Sequence, residues 1–232
     1  MKMSRVGIRN PAALAAALVT LVTSLVIAAD VAKPIRLLPA KDLSDFYVFT
    51  KDHGVNNDPK SVFTLTNGMV RISGEEPGFL ATKTEYSSYR LVAEYKWGFL
   101  PSDTKERDSG VFIHGHGPDK PPMSSIECNL LSGSKSVSGE VVLIGPQSQL
   151  TVNGVVKKGF GGVPPVERKD HEKPVGEWNT MEILSDGGRF QVKVNGHVVT
   201  EGTDAAPRTG KILLQSRWGE IFFRRLELEP VK

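Results

Sequence analysis

Cysteine is nearly absent: Cys128 is the one thiol in 232 residues. No intrachain disulfide can form, so packing alone must hold the core. Cys-x-x-Cys metal motifs are excluded for the same reason. There is no Gly-x-Ser-x-Gly nucleophile elbow, no Walker-type phosphate loop and no dinucleotide fingerprint. A compact Glu-x-Asp-x-x-Glu motif is missing too, which leaves only carboxylates distant in sequence for paired acid–base work. Helical periodicity is missing beyond residue 29: no segment repeats its apolar residues at 3.6-residue spacing over three turns. The stretch Ala40–Phe49 is expected to hold one short helical turn at most.

A long hydrophobic run occurs once, at the start. Lys2, Arg5 and Arg9 precede an uncharged stretch, Asn10–Ala29, with an Ala/Leu/Val-rich centre and a small-residue end at Ala28-Ala29. That order is the pattern of a secretory signal peptide. The run is short for a ~20-residue membrane span, and no positive flank follows it. Residues 1–29 are therefore expected to be removed, leaving 30–232 as one exported domain, periplasmic or extracellular, with no membrane span. The leader also carries the excess charge. Of 29 basic residues three lie in it, and the remaining 26 match the 26 acidic ones. A polyanion needs a concentrated positive surface, so nucleic acid is not an expected partner.

What is abundant is turn chemistry. Asn67-Gly68, Asn153-Gly154 and Asn195-Gly196 each interrupt alternating or β-branched residues. Asn-Gly suits a type I′ turn because both central residues accept positive φ. Further strands are expected over Tyr89–Trp97, Ser109–His114, Ser125–Leu131, Val141–Ile144, Asn179–Ser185, Arg189–Asn195, Lys211–Gln215 and Ile221–Glu229. Short strands between Gly, Pro, Asp and Ser point to an all-β sandwich or jelly roll. Two stretches, Gly115–Ser125 and Lys157–Glu177, read as long irregular loops.

Alternation along a strand selects candidate site residues. In Ser125–Leu131, Ile126, Cys128 and Leu130 share one face, while Glu127 and Asn129 share the other. A carboxylate among apolar neighbours needs a partner or a task. Cys128 reads as a small core hydrophobe. In Arg107–His116, Val111 and Ile113 are expected inward, with Phe112, His114 and His116 opposite. A His-x-His pair with Glu127 nearby could hold a divalent metal ion. His114 could instead serve as a general acid or base, since imidazole titrates near neutrality. Trp97 is expected in the core. Trp178 and Trp218 could fill core or stack on a sugar.

The order of these segments resembles the 3-keto-disaccharide hydrolase family. The resemblance runs from about Leu43 to Val231. It is carried by Arg107–His114, Gly117–Lys120, Ile126–Leu130, Glu172–Asn179, Gly210–Gln215 and Phe223–Leu226. It implies a concanavalin A-like jelly-roll sandwich of two antiparallel sheets with a carbohydrate site on one of them. It also implies cleavage of glycosides bearing a 3-keto group, by hydrolysis or by elimination then hydration, with a divalent metal as a natural stabiliser of the 3-keto oxygen. Glu127 and His114 fall at catalytic positions. Arg107, Asp108, Lys120, Asn129, Trp178, Gln215 and Trp218 fall at substrate-binding ones. This chain has Asn129 where the family has Gln, and Arg225 where it has Asn. These departures leave a second expectation, a non-catalytic carbohydrate-binding module with a lectin-like site.

Overall fold

The structure is a computed structural model that describes residues 29–38, 41–100, 106–119, 123–133 and 135–231. Every regular element among them is a strand. The stretch expected to hold a helical turn instead enters a strand, Phe46–Thr50. Its aromatic and β-branched residues suit a pleated, half-buried surface better than a helix. The leader lies outside the described residues up to position 28.

Two sheets form the sandwich. The first runs, in spatial order, Gly161–Val163, Val141–Ile144, Ser124–Ser132, Arg107–His116, Thr209–Ser216, Gly78–Thr82, Phe46–Thr50 and Gly54–Val55. The second runs Val155–Lys158, Gln149–Val152, His197–Ala206, Arg189–Val194, Asn179–Asp186, Tyr89–Trp97, Ile221–Glu229, Met69–Ile72 and Phe63–Thr66. Pairing is antiparallel throughout these two orders. A short parallel pair, Ala29–Asp30 with Tyr86–Ser87, extends one edge. All three Asn-Gly pairs turn hairpins, and each residue of each pair has positive φ. Both long irregular stretches are shorter than expected, because Ser124 and the Val155–Lys158 and Gly161–Val163 strands belong to the sheets.

The sheets differ in pattern. In the second, Asn179–Asp186 alternates between buried and half-buried positions. Its inward side chains join Tyr89, Tyr95, Trp97 and Phe223 in the core. Its outer face is a charge ladder. Arg90 pairs with Glu182 and Glu229, Arg224 with Glu94, and Arg225 with Glu227 and Glu229. Exposed pairs of this kind contribute about 0–1 kcal/mol each, so the ladder mainly keeps that face wet.

Part of the first sheet is apolar on both faces. Leu80, Val111, Ile113, Ile126 and Leu214 point into the main core. Their sequence neighbours Phe79, Ala81 and Leu213 form a separate cluster on the opposite face with Tyr47 and Met123, flanked by Phe49 and Phe112. Strands buried on both faces read as continuous apolar runs. The runs Phe79-Leu80-Ala81, Val111-Phe112-Ile113 and Ile212-Leu213-Leu214 are of that kind.

Candidate functional site

Three adjacent strands of the first sheet build the site. Phe112 pairs with Glu127, and Gly110 pairs with Asn129. Alternation therefore sends Asp108, Gly110 and Phe112 to the same face as Glu127 and Asn129. On the next strand Val111 is in register with Leu214, which brings Gln215 alongside Gly110. Glycine at 110 leaves a hollow in this face, and Glu127 folds into it. A Cβ at position 110 would lie 2.9 Å from Glu127 Oε1 and 3.2 Å from its Cγ.

Glu127 is 5% exposed. Burial pushes its carboxyl up to about 7, and the nearby Asp108 charge pushes the same way. Arg217 and the Gln215 amide favour the charged form but do not offset burial. Burial also raises Asp108, against the pull of Arg217, whose Nη1 lies 3.2 Å from Asp108 Oδ2. Arg217 is held there by its neighbour: Trp218 and Asp108 exchange two backbone hydrogen bonds of 2.9 and 3.0 Å. The guanidinium also lies 4.6 Å from the centroid of the Trp218 ring. Glu127 Oε1, Asp108 Oδ1 and Gln215 Oε1 are buried and meet no hydrogen-bond partner among the described residues. Three such acceptors on one face are costly unless a ligand satisfies them.

The hollow opens into a cleft of about 680 Å³, within the usual size range of small-molecule sites. Glu127, Gln215, Arg217 and Trp218 line its polar end. Phe112, Leu213, Phe79 and Phe49 line the rest, with Lys51 beyond them. Phe49 stacks on Phe79 with centroids 5.2 Å apart and planes 18° apart.

The structure thus gathers Glu127, Asp108, Gln215 and Trp218, and places Asn129 on the same face beside Gly110. Other expected site residues go elsewhere. His114 is the main correction. A bulge between Ile113 and His116 breaks the register, and His114 takes φ +54°. The extra residue reverses the alternation. His114 turns between the sheets, 1% exposed, with its ring 5.5 Å from that of Tyr89. Its Nδ1 donates to the Pro207 carbonyl at 2.7 Å. Burial lowers its pKa to about 4, so it stays neutral at physiological pH. His116, past the bulge, is exposed. The expected His114–His116–Glu127 metal trio therefore does not form, and no cluster of three or more His, Cys, Asp or Glu suited to a metal ion occurs among the described residues.

Trp178 lies on the outer face of the second sheet, with Arg224 4.3 Å and Lys96 5.1 Å from its ring centroid. Its sequence gave no sign of which sheet its strand would join. Arg107 has the opposite parity to Asp108 and reaches the Gly98 carbonyl at 3.5 Å. Lys120 lies outside the described residues. Sequence reasoning passed over Arg217, Phe49, Phe79 and Phe112. The doubly apolar runs were the available signal for Phe79 and Phe112; nothing marked Arg217 beyond its place before Trp218.

A sequence profile described as the 3-keto-alpha-glucoside-1,2-lyase-like domain matches residues 33–229. The search of curated proteins found no match. Three solved structures share the fold at low identity. A candidate glycosyl hydrolase from Parabacteroides distasonis ATCC 8503 is 21% identical, covering 86% of this chain and 100% of its own, with a TM-score of 0.58. The beta-glucanase of Bacillus licheniformis is 13% identical over 87% of this chain and 100% of its own, TM-score 0.55. The carbohydrate binding module CBM66 from Bacillus subtilis is 11% identical over 72% and 90%, TM-score 0.50. The expected concanavalin A-like jelly roll is borne out.

Proposed function

The chain belongs to the 3-keto-alpha-glucoside-1,2-lyase-like domain family, and from that premise we propose that it cleaves 3-keto-glycosides by elimination, with Glu127 as the base. The observation that carries this reading is the Glu127 carboxyl, folded over Gly110 with one oxygen unpartnered and a pKa of about 7. A base tuned to the working pH is efficient, because the right protonation state and the driving force for proton transfer are then both available.

A ketone at C3 acidifies the proton at C2. Glu127 takes that proton, and the electron pair of the C2–H bond is held as an enolate. Arg217 and Gln215 supply the positive charge and the N–H donor that would stabilise it. The pair then forms the C1–C2 double bond as the C1–oxygen bond breaks. Glu127, now neutral, returns the proton to the departing oxygen. Water adding across the double bond would complete a net hydrolysis. Asp108 holds Arg217 and keeps the Glu127 pKa high. The family resemblance also implies a divalent metal, but His114 is buried between the sheets and His116 is exposed past the bulge, so these two and Glu127 do not form a site for one. The leader pattern supports export as the setting.

In deuterium oxide a 3-keto-glycoside should acquire deuterium at C2, and Glu127→Gln should lower turnover by at least about 10²-fold. Full turnover in that variant would sink the assignment. Binding without exchange or cleavage in the wild type would make the domain a carbohydrate-binding module instead.

A further inference from the structure

Glu127, Gln215 and Arg217 line the cleft next to the Gly110 hollow, and Ser125, Ser216 and Lys51 line it elsewhere. Glu127, Asp108, Gln215 and Arg217 surround the Gly110 hollow. From there the open face continues across the strands through Phe112 and Leu213 to Phe79 and Phe49. Outward positions of a solvated sheet are ordinarily polar, as they are on the second sheet of this same molecule. Here they are aromatic and aliphatic. Phe79 and Leu213 are almost wholly buried, while Phe49 and Phe112 keep part of their surface open to the cleft. Exposed apolar surface of this kind marks a ligand or partner site.

We propose that this half of the cleft is a subsite for the leaving group, and that preferred substrates are glycosides of apolar aglycones rather than disaccharides. The proposal rests on the reading that Glu127 faces the glycosidic bond. A second sugar ring would bring several hydroxyl groups over Phe112, Leu213, Phe79 and Phe49. The backbone groups beneath are committed to the ladders that join these strands. Lys51 is the one charged side chain lining that end among the described residues, and the Ser125 and Ser216 hydroxyls that also line the cleft already donate to the Met123 and Glu76 carbonyls. Each hydroxyl stripped of water without a partner costs about tenfold in affinity. An aryl or alkyl group meets no such cost and gains from burial and from stacking on the Phe49–Phe79 pair.

The test is calorimetric titration of the full chain with three 3-keto probes of the same glucose unit: the methyl glucoside, the phenyl glucoside and a disaccharide, in both anomeric series. The phenyl glucoside should bind at least about tenfold tighter than either of the others. Phe49→Ser should erase that advantage. Phe112→Ser is the second variant should Phe49→Ser melt early. A disaccharide that binds as well as the phenyl glucoside overturns the proposal. So does a phenyl advantage that survives both substitutions. Turnover of the disaccharide without phenyl preference would remove this inference and leave the proposed function standing. Full activity of Glu127→Gln alongside a phenyl preference would do the reverse. Failure of every probe to bind would overturn both.

Discussion

At the scale of single residues, the site turns on Gly110 and on the charge next to Glu127. A glycine in a strand interior weakens the strand, and here its absence of a Cβ is what lets the carboxyl lie across it. Gly110→Ala places a carbon 2.9 Å from Glu127 Oε1, which forces the carboxyl to move. Turnover should fall by about 10-fold or more while the melting temperature shifts by only a few degrees; unaltered turnover would show that the Gly110 hollow is not where chemistry occurs. The pH profile is a second check. The active form of Glu127 is the charged one, so kcat/KM should rise with pH through about 7 and level off above it. Asp108 raises the Glu127 pKa by its own negative charge. Asp108→Asn removes that charge and frees Arg217, and both effects favour ionised Glu127. The midpoint of the profile should therefore move to lower pH. A midpoint that stays put or rises would mean that another group sets the profile.

At the scale of elements, local signals were legible and exceptions to them were not. The Asn-Gly hairpins and the strands Tyr89–Trp97, Val141–Ile144 and Ile221–Glu229 follow from turn chemistry and alternation. Glu127 follows from alternation as well. His114 does not, because the bulge that turns it inward depends on close packing of Gly210 against its backbone, a contact between strands far apart in sequence. The His197–Ala206 strand, with its irregular exposure, and the doubly apolar Gly78–Thr82 had no clean period to reveal them. The segment before Trp178 looked like free loop, yet Glu172 ties it to the sandwich. Its carboxyl accepts hydrogen bonds from Tyr95 Oη (2.6 Å), Trp97 Nε1 (3.1 Å) and Ser138 Oγ (2.7 Å). Burial nonetheless pushes its pKa up to about 7. Glu172→Ala would leave these donors buried without an acceptor, at a cost of about 2–4 kcal/mol. Glu172→Gln keeps one acceptor and should cost less. Thermal melting separates the two, and limited proteolysis should cut the alanine variant between residues 164 and 178 first. Equal stability of both variants with the wild type would mean that the segment is held by other contacts.

At the scale of the whole molecule, one buried thiol can report on the entire sandwich. Cys128 is fully buried beneath Glu127's own strand, in the main core. Burial holds its thiol well above the usual range, and the neighbouring Glu127 charge adds to this. The reacting species is the thiolate, so the native protein should be inert to thiol reagents. Cys128 faces the core between the two sheets, so exposing it requires Ser124–Ser132 to part from that core. Labelling by a small disulfide reagent should then require global unfolding. The free energy taken from labelling rates at low denaturant should match that from equilibrium denaturation, and reductant should leave the melting temperature unchanged. Labelling much faster than global unfolding would mean that Ser124–Ser132 detaches by itself. Such detachment would carry Glu127 away from Gln215 and Arg217, so it should also lower activity in proportion to the population of the open form.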